Sequence, residues 1–355
     1  MKQLIIKGDN GCADASIEDI VAARLNYFKG WNCAAGTQNL YIDFDGRVWV
    51  ANCASSYAQQ TVKLKDKILP WGYLGMIGQS FTIPKNNVIC PFDSCGCGSD
   101  IVTTKYQVGK DIKLFLDKEF QFPDISFPEL KNFSALKVNY AMPKQILWDV
   151  GRFCNYNCSY CWPGVHNTTD PHKSLSLFRQ TADYLIDNWA TGSQIRWYFG
   201  GGEPTLNPDF EPFVDYLASK NQWIMLVSNG SQGPAYWAKN ADNYDTLIFS
   251  AHFEFMKPNL FAKNFNQVLK VLNNNPKRLN RYIVKLMTKP GEVDRSIKFV
   301  EELKAETEFS QLSSWAVDKL SFDMVPLRDI VDGSKLHTDY TEQELQDILK
   351  FNTGK

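Results

Sequence analysis

The chain has 355 residues, enough for two domains of ordinary size, and its 44% hydrophobic and 22% charged residues permit packed cores and exclude global disorder. With 38 Lys and Arg against 39 Asp and Glu, the formal charge of −1 argues against a broad basic face for nucleic acid, although Lys63–Lys67 forms a local patch. No apolar run approaches the roughly 20 residues of a membrane span, and Met1–Asn10 holds only Leu4–Ile6 as an apolar stretch, so no signal peptide is expected and the default compartment is the cytoplasm.

In chain order, Ser16–Leu25 reads as a short helix. Leu40–Asp43 and Arg47–Val50 flank Phe44-Asp45-Gly46, a hairpin signal. Asn132–Pro143 reads as a linker and Gln145–Val150 as a strand. A helix begins at Ser174, with Leu175, Phe178, Ala182, Leu185, Ile186 and Trp189 at helical spacing. Strands are then expected at Ile195–Phe199, Trp223–Ser228, Leu247–Ala251, Tyr282–Met287 and Leu320–Val325. Helices are expected between them, at Pro208–Ser219, Pro234–Asn240, Asn259–Leu272 and Asp294–Ala305. Alternation of this kind specifies a parallel sheet with crossover helices. About 190 residues is short for a closed eight-unit barrel, so the expected fold class is α/β: a partial (β/α)6 barrel core, or failing that a doubly wound sheet, preceded by a small cysteine-rich α+β domain. A polar tail from 331 to 355 carries one helix, opened by Thr341 as its N-cap and running to about Phe351.

The nine cysteines are the chemically informative residues. Their odd number and tight spacing suit metal ligation better than a disulfide framework. Cys154-Asn-Tyr-Asn-Cys158-Ser-Tyr-Cys161 puts three thiols in one loop directly after a strand. Three protein ligands on a four-iron cube leave one iron open to a small molecule. His166 lies five positions beyond Cys161, so a Cys3His zinc site is the competing reading of the same loop. The second expected strand runs into Gly200-Gly201-Gly202-Glu203-Pro204, the third ends in Ser228-Asn229-Gly230 and the fourth in Ser250-Ala251-His252. All lie at carboxyl ends of parallel strands, where such sheets bind ligands. His252, and Lys285 on the fifth strand, read more readily as ordinary polar residues than as catalytic ones.

Over about residues 143–326 these motifs resemble the radical S-adenosylmethionine (SAM) superfamily, whose hallmark is Cys-x3-Cys-x2-Cys with an aromatic residue before the last cysteine, here Tyr160. The resemblance implies a [4Fe–4S] cluster on Cys154, Cys158 and Cys161 that binds SAM. It implies reductive cleavage of SAM to a 5′-deoxyadenosyl radical, and abstraction of a substrate hydrogen. Gly201, Gly202 and Glu203 match the family's contact to the SAM amino group; Ser228 and Asn229 match a strand end near the cofactor, with serine for the usual threonine; Ser250 matches, weakly, a contact to the SAM carboxylate or ribose.

Earlier in the chain, Cys33, a hairpin with a glycine turn, Cys53, and then Cys90, Cys95 and Cys97 resemble the auxiliary-cluster domains called SPASM and twitch. Two departures stand out: those domains normally follow the barrel, and Cys-x4-Cys-x-Cys is not their usual final spacing. The resemblance implies one auxiliary [4Fe–4S] cluster on Cys33, Cys53 and two of Cys90, Cys95 and Cys97, with structural zinc as the alternative; Cys12, in a turn-like segment, reads as a bystander. The domains expected are thus 1–135, SPASM/twitch-like; 143–330, radical SAM core; and 331–355, the tail.

The function implied is that of a radical SAM oxidoreductase or modifying enzyme, acting on a peptide, a protein or a small molecule. Its partners would be that substrate and a reductant such as flavodoxin or ferredoxin, with no membrane, and nucleic acid disfavoured by the charge balance. The alternatives are a nucleoside- or RNA-modifying enzyme of the same superfamily and a non-catalytic zinc-binding module.

Overall fold

The computed structural model describes residues 4–55, 72–95, 98–110, 124–138, 144–161, 169–327 and 339–354. They pack as two compact units, one formed by 1–147 and 184–195, the other by 148–183 and 196–355.

In the first unit, β1 (Leu4–Gly8) and β2 (Gly11–Ala15) form a hairpin, and α1 (Ile17–Ala22) follows, opened by a capping box in which Ser16 and Asp19 exchange hydrogen bonds. Cys12 therefore lies in a strand rather than in the turn-like segment expected. Next come β3 (Asn32–Cys33), β4 (Asn39–Ile42), β5 (Arg47–Trp49) and β6 (Tyr73–Met76). The hairpin β4–β5 is antiparallel, and Gly46 supplies the positive φ (+85°) its turn requires. β7 (Val88–Ile89), the single turn α2 (Gly98–Ile101), β8 (Lys105–Tyr106) and β9 (Ala135–Val138) complete the unit, and six of its strands form a sheet of order β2-β1-β9-β8-β3-β7. β9 falls where a linker was expected. It is a strand because β1 pairs with it on one side, Ile6 opposite Leu136, and β8 on the other, Lys105 opposite Leu136.

The chain enters the second unit through β10 (Lys144–Asp149) and continues through α3 (Leu175–Tyr184), β11 (Ile195–Gly200), α4 (Phe210–Ser219), β12 (Trp223–Ser228), α5 (Pro234–Asn240), β13 (Thr246–Ala251), α6 (Pro258–Asn273), β14 (Arg281–Thr288), α7 (Val293–Glu306), α8 (Ser314–Lys319) and β15 (Leu320–Pro326). The strands lie in chain order, β10 to β15, and each pair from β11 onward is parallel. The order never reverses, so the sheet is singly wound; the doubly wound alternative is excluded. Same-handed crossovers of a singly wound sheet carry the helices to one face. That face is aromatic: Trp148, Trp197 and Phe199 are fully buried and pack on Phe178 of α3 and Phe213 of α4. Each such side chain contributes about 1.5–3 kcal/mol by burial.

The predicted tail helix is α9 (Glu342–Thr353), capped by Thr341 and Glu344. It is docked rather than pendant. Asn352 pairs with both backbone groups of Met324 on β15 (2.7 and 2.9 Å), satisfying part of that strand's edge.

Candidate active site and cysteine sites

In the second unit the cysteine loop follows β10 directly, and its first residues are zipped to the end of β11. Val150 N donates to Gly200 O (3.0 Å), Gly202 N to Gly151 O (2.8 Å) and Glu203 N to Phe153 O (2.7 Å). The glycines are required by this approach. Gly201 has φ +108°, and a Cβ at Gly202 would lie 2.3 Å from Phe153 O and 2.7 Å from Arg152 O. So Gly201 and Gly202 hold the backbone that presents Cys154.

Glu203 is 3% exposed. Its carboxylate accepts from Thr205 N (3.2 Å), Thr205 Oγ1 (2.6 Å), Ser228 Oγ (2.9 Å) and Asn229 N (2.6 Å). Burial pushes its pKa up, and these donors oppose the shift. The carboxylate thus pins the end of β11 to the end of β12. Asn229 reaches onward: its Nδ2 donates to Asn155 Oδ1 (2.9 Å) and lies 3.8 Å from Cys154 Sγ. Glu203, Ser228, Asn229 and Cys154 therefore form one connected group.

Cys154 and Cys158 are buried and Cys161 is half-buried, with Cys161 N donating to Cys158 O (3.0 Å). Burial pushes the Cys154 thiol up to about 11 and the Cys158 thiol up to about 12, and each thiol feels its neighbours through space. Such thiols stay protonated until a metal displaces the proton.

Tyr160 stacks on His252 (5.9 Å between centroids, 12° between planes) and its hydroxyl lies 3.0 Å from His252 Nδ1. Burial lowers the His252 pKa to about 4, so the ring is neutral near pH 7. It anchors the loop aromatic rather than carrying charge. Tyr156 stacks on Phe255 (6.0 Å between centroids, 25° between planes). Glu254 completes the strap: it accepts from Ser159 N (2.6 Å) and Ser159 Oγ (2.5 Å) and pairs with Lys289. Burial pushes Glu254 up, but the hydrogen bonds from Lys289 and Ser159 outweigh it and hold the carboxyl below its usual range. Glu254, Ser159, Asn155 and Lys289 were not among the expected site residues; the only sequence signal was the polar pair His252 and Glu254 just past a strand end. Glu254→Gln is expected to loosen the loop. Iron release to a chelator from anaerobically loaded protein should be several-fold faster than in the parent, whereas an unchanged release rate would show that the strap does not hold the loop.

Ser250 is 6% exposed on β13, aligned with Lys285 on β14, which in turn is aligned with Asp323 on β15. Alternation puts this polar row on the sheet face opposite Phe249 and Tyr282, whose rings pack on Phe261 and Phe265 of α6.

In the first unit Cys33, Cys90 and Cys95 are buried, and Cys53 packs against the same core. Cys33 sits on β3 between β7 and β8. Cys90 N donates to Trp31 O (2.8 Å) and Cys95 N to Asn26 O (2.8 Å). Burial pushes Cys53 well up, and Asp100, Cys95, Cys33 and Cys90 act on it through space, so the four thiols share one neighbourhood. Cys12 belongs to a separate small cluster with Ala135. Cys97 and His166 lie outside the described residues. Among the described residues no three His, Cys, Asp or Glu side chains gather as a cage for a single ion. A four-iron cube asks for a wider cage, since each thiolate binds its own iron. Two all-cysteine donor sets of buried or half-buried thiols, three in one loop and four against one core, fit that group.

Among the described residues no helix is long and apolar enough to cross a membrane. Residues 148–307 match the family model described as the Radical SAM superfamily. The chain is 31% identical over 127 residues to the S-adenosylmethionine-dependent nucleotide dehydratase of Selenomonas ruminantium, covering 36% of this chain and 38% of that protein. It is 26% identical over 92 residues to the antilisterial bacteriocin subtilosin biosynthesis protein AlbA of Bacillus subtilis, covering 26% of this chain and 20% of AlbA. The crystal structure of Streptococcus suis SuiB bound to S-adenosylmethionine aligns with a TM-score of 0.42 and 14% identity, over 60% of this chain and 47% of SuiB. The matched stretches thus span well under two thirds of these relatives' lengths. The residues that match the Radical SAM superfamily model, 148–307, are those of the α/β unit that carries the cysteine loop.

Proposed function

We propose that this chain is a radical SAM enzyme whose second unit binds a [4Fe–4S] cluster through Cys154, Cys158 and Cys161 and binds SAM beside it. The observation that carries this reading is the loop itself: three buried or half-buried thiols held by the Gly201–Glu203 turn, Asn229 and Tyr160. When bound, the cluster and SAM supply reductive cleavage to methionine and a 5′-deoxyadenosyl radical. The chain's residues do the positioning. Gly201 and Gly202 let the turn approach the loop; Glu203 fixes Ser228 and Asn229; the row Ser250, Lys285 and Asp323 offers polar groups to SAM or substrate. Residues 1–135 act as a SPASM/twitch-like domain with an auxiliary [4Fe–4S] cluster, residues 143–330 as the radical SAM core and 331–355 as its C-terminal extension. The substrate class we favour is a peptide, protein or small molecule, with flavodoxin or ferredoxin as reductant in the cytoplasm. AlbA, named for bacteriocin biosynthesis, supports the peptide reading. The likeness to a nucleotide dehydratase favours a second one, a nucleotide substrate.

The test is iron, sulfide and zinc per chain in anaerobically prepared protein, against a variant lacking Cys154, Cys158 and Cys161. About eight irons falling to about four supports both clusters. About four falling to none keeps the SAM cluster and removes the auxiliary one. Zinc alone overturns the radical reading.

A further inference from the structure

We propose that Lys105 is a positioning residue for the auxiliary cluster, a buried fixed cation that raises the cluster's reduction potential, with Asp100 as its opposing anion. The inference rests on the auxiliary-cluster reading above and commits it to four ligands: Cys33, Cys53, Cys90 and Cys95.

Lys105 is 1% exposed, against Phe28 and opposite Cys33 of the apolar core. A buried ammonium is costly unless its donors are met and its charge is balanced. Its three donors are met by three backbone carbonyls, those of Asp100, Thr103 (3.0 Å) and Ile101 (3.4 Å). The Phe28 ring covers it, 5.1 Å from centroid to Nζ. Its place is set by the sheet, since Lys105 on β8 is the direct partner of Cys33 on β3. With every donor committed to a carbonyl, the ammonium acts on the sulfurs through space.

Asp100 is 3% exposed and equally well satisfied. Its carboxylate accepts from Cys53 N (2.9 Å), Asn52 N (3.3 Å) and Asn39 Nδ2 (3.0 Å). The cation therefore stands opposite Cys33 from β8, and the anion stands against the Cys53 backbone from α2.

A four-iron cube on four thiolates is anionic and becomes more so on reduction. A nearby fixed cation stabilises the reduced form more than the oxidised one, and a fixed anion does the reverse. A lysine serving only to fill space would do neither.

The experiment is a redox titration of the full chain, followed by electron paramagnetic resonance, in a background where Cys154, Cys158 and Cys161 are replaced by alanine so that only the auxiliary cluster is seen. Lys105→Met, similar in length and neutral, is expected to shift the midpoint to a more negative potential at unchanged iron content. Asp100→Asn is expected to shift it the other way. A loaded cluster whose midpoint does not move in Lys105→Met overturns the inference and leaves the auxiliary-cluster reading standing. Where Lys105→Met loads no iron, Asp100→Asn decides: a less negative midpoint supports the inference, and an unchanged midpoint or a lost cluster overturns it. A background protein that holds no iron at all overturns the auxiliary-cluster reading and this inference with it.

Discussion

Cys158→Ala is expected to abolish SAM cleavage, with 5′-deoxyadenosine formation falling by more than about 100-fold, beyond the range of losses at outer-shell positions. The reason lies in the distribution of thiols. Cys158 is the middle ligand of a loop that supplies three, and the second unit has no other: every remaining cysteine precedes residue 98, and none follows Cys161. Two thiolates cannot hold three corners of a cube, so the variant should lose either the cluster or the single open iron that distinguishes it. Removing a small buried thiol from a surface loop leaves the aromatic face of the sheet intact, so the variant should still fold. The check is 5′-deoxyadenosine production with dithionite as electron donor, alongside iron content. Undiminished production by a protein short of one cluster would detach the chemistry from this loop.

Much of the second unit was legible because its pattern is local. Trp223–Ser228 and Pro234–Asn240 have the bounds that periodicity and proline placement indicate, and the other strands of this unit agree to within a residue or two. The first unit was less legible because its sheet is built from short strands paired at long range. Ala135–Val138 sits beside Asn132 and near Pro143, which read as linker punctuation; it becomes a strand through Leu4–Gly8, more than a hundred residues away, and Lys105–Tyr106 on its other side. Cys12 was misread for the same reason. The site divides in the same way. The cysteine loop and the Gly-Gly-Glu turn are contiguous and could be found by spacing, whereas the groups that hold them come from elsewhere. Glu254 meets Ser159 across 95 residues and Asn229 meets Asn155 across 74. Nothing in Thr-Thr-Lys-Tyr-Gln marks Lys105 as a core residue; the register opposite Cys33 does.

Gly202→Ala is expected to be the most damaging single-methyl change in the second unit. The added carbon has no soft neighbour to displace: it meets the carbonyl oxygens of Phe153 at 2.3 Å and Arg152 at 2.7 Å, both backbone atoms of the segment leading into Cys154. Relief requires the turn and the loop to part. That would break the bonds from Gly202 N to Gly151 O and from Glu203 N to Phe153 O, and disturb the carboxylate that organises Ser228 and Asn229. Overpacking of this kind costs about 1–3 kcal/mol, more where backbone must move. Gly151→Ala is the matched control. It lies in the same loop, at a position with no positive φ, and its Cβ would meet nothing within 4 Å. Iron per chain and the urea midpoint, measured on both variants, separate a steric effect at the turn from a general intolerance of side chains near the cysteines. Gly202→Ala should lose iron from the second unit and unfold at lower urea, while Gly151→Ala should match the parent in both. If Gly202→Ala instead retained its full iron and its midpoint, the turn would have to be wider than the observed approach allows, and the glycines would owe their place to a ligand rather than to the loop.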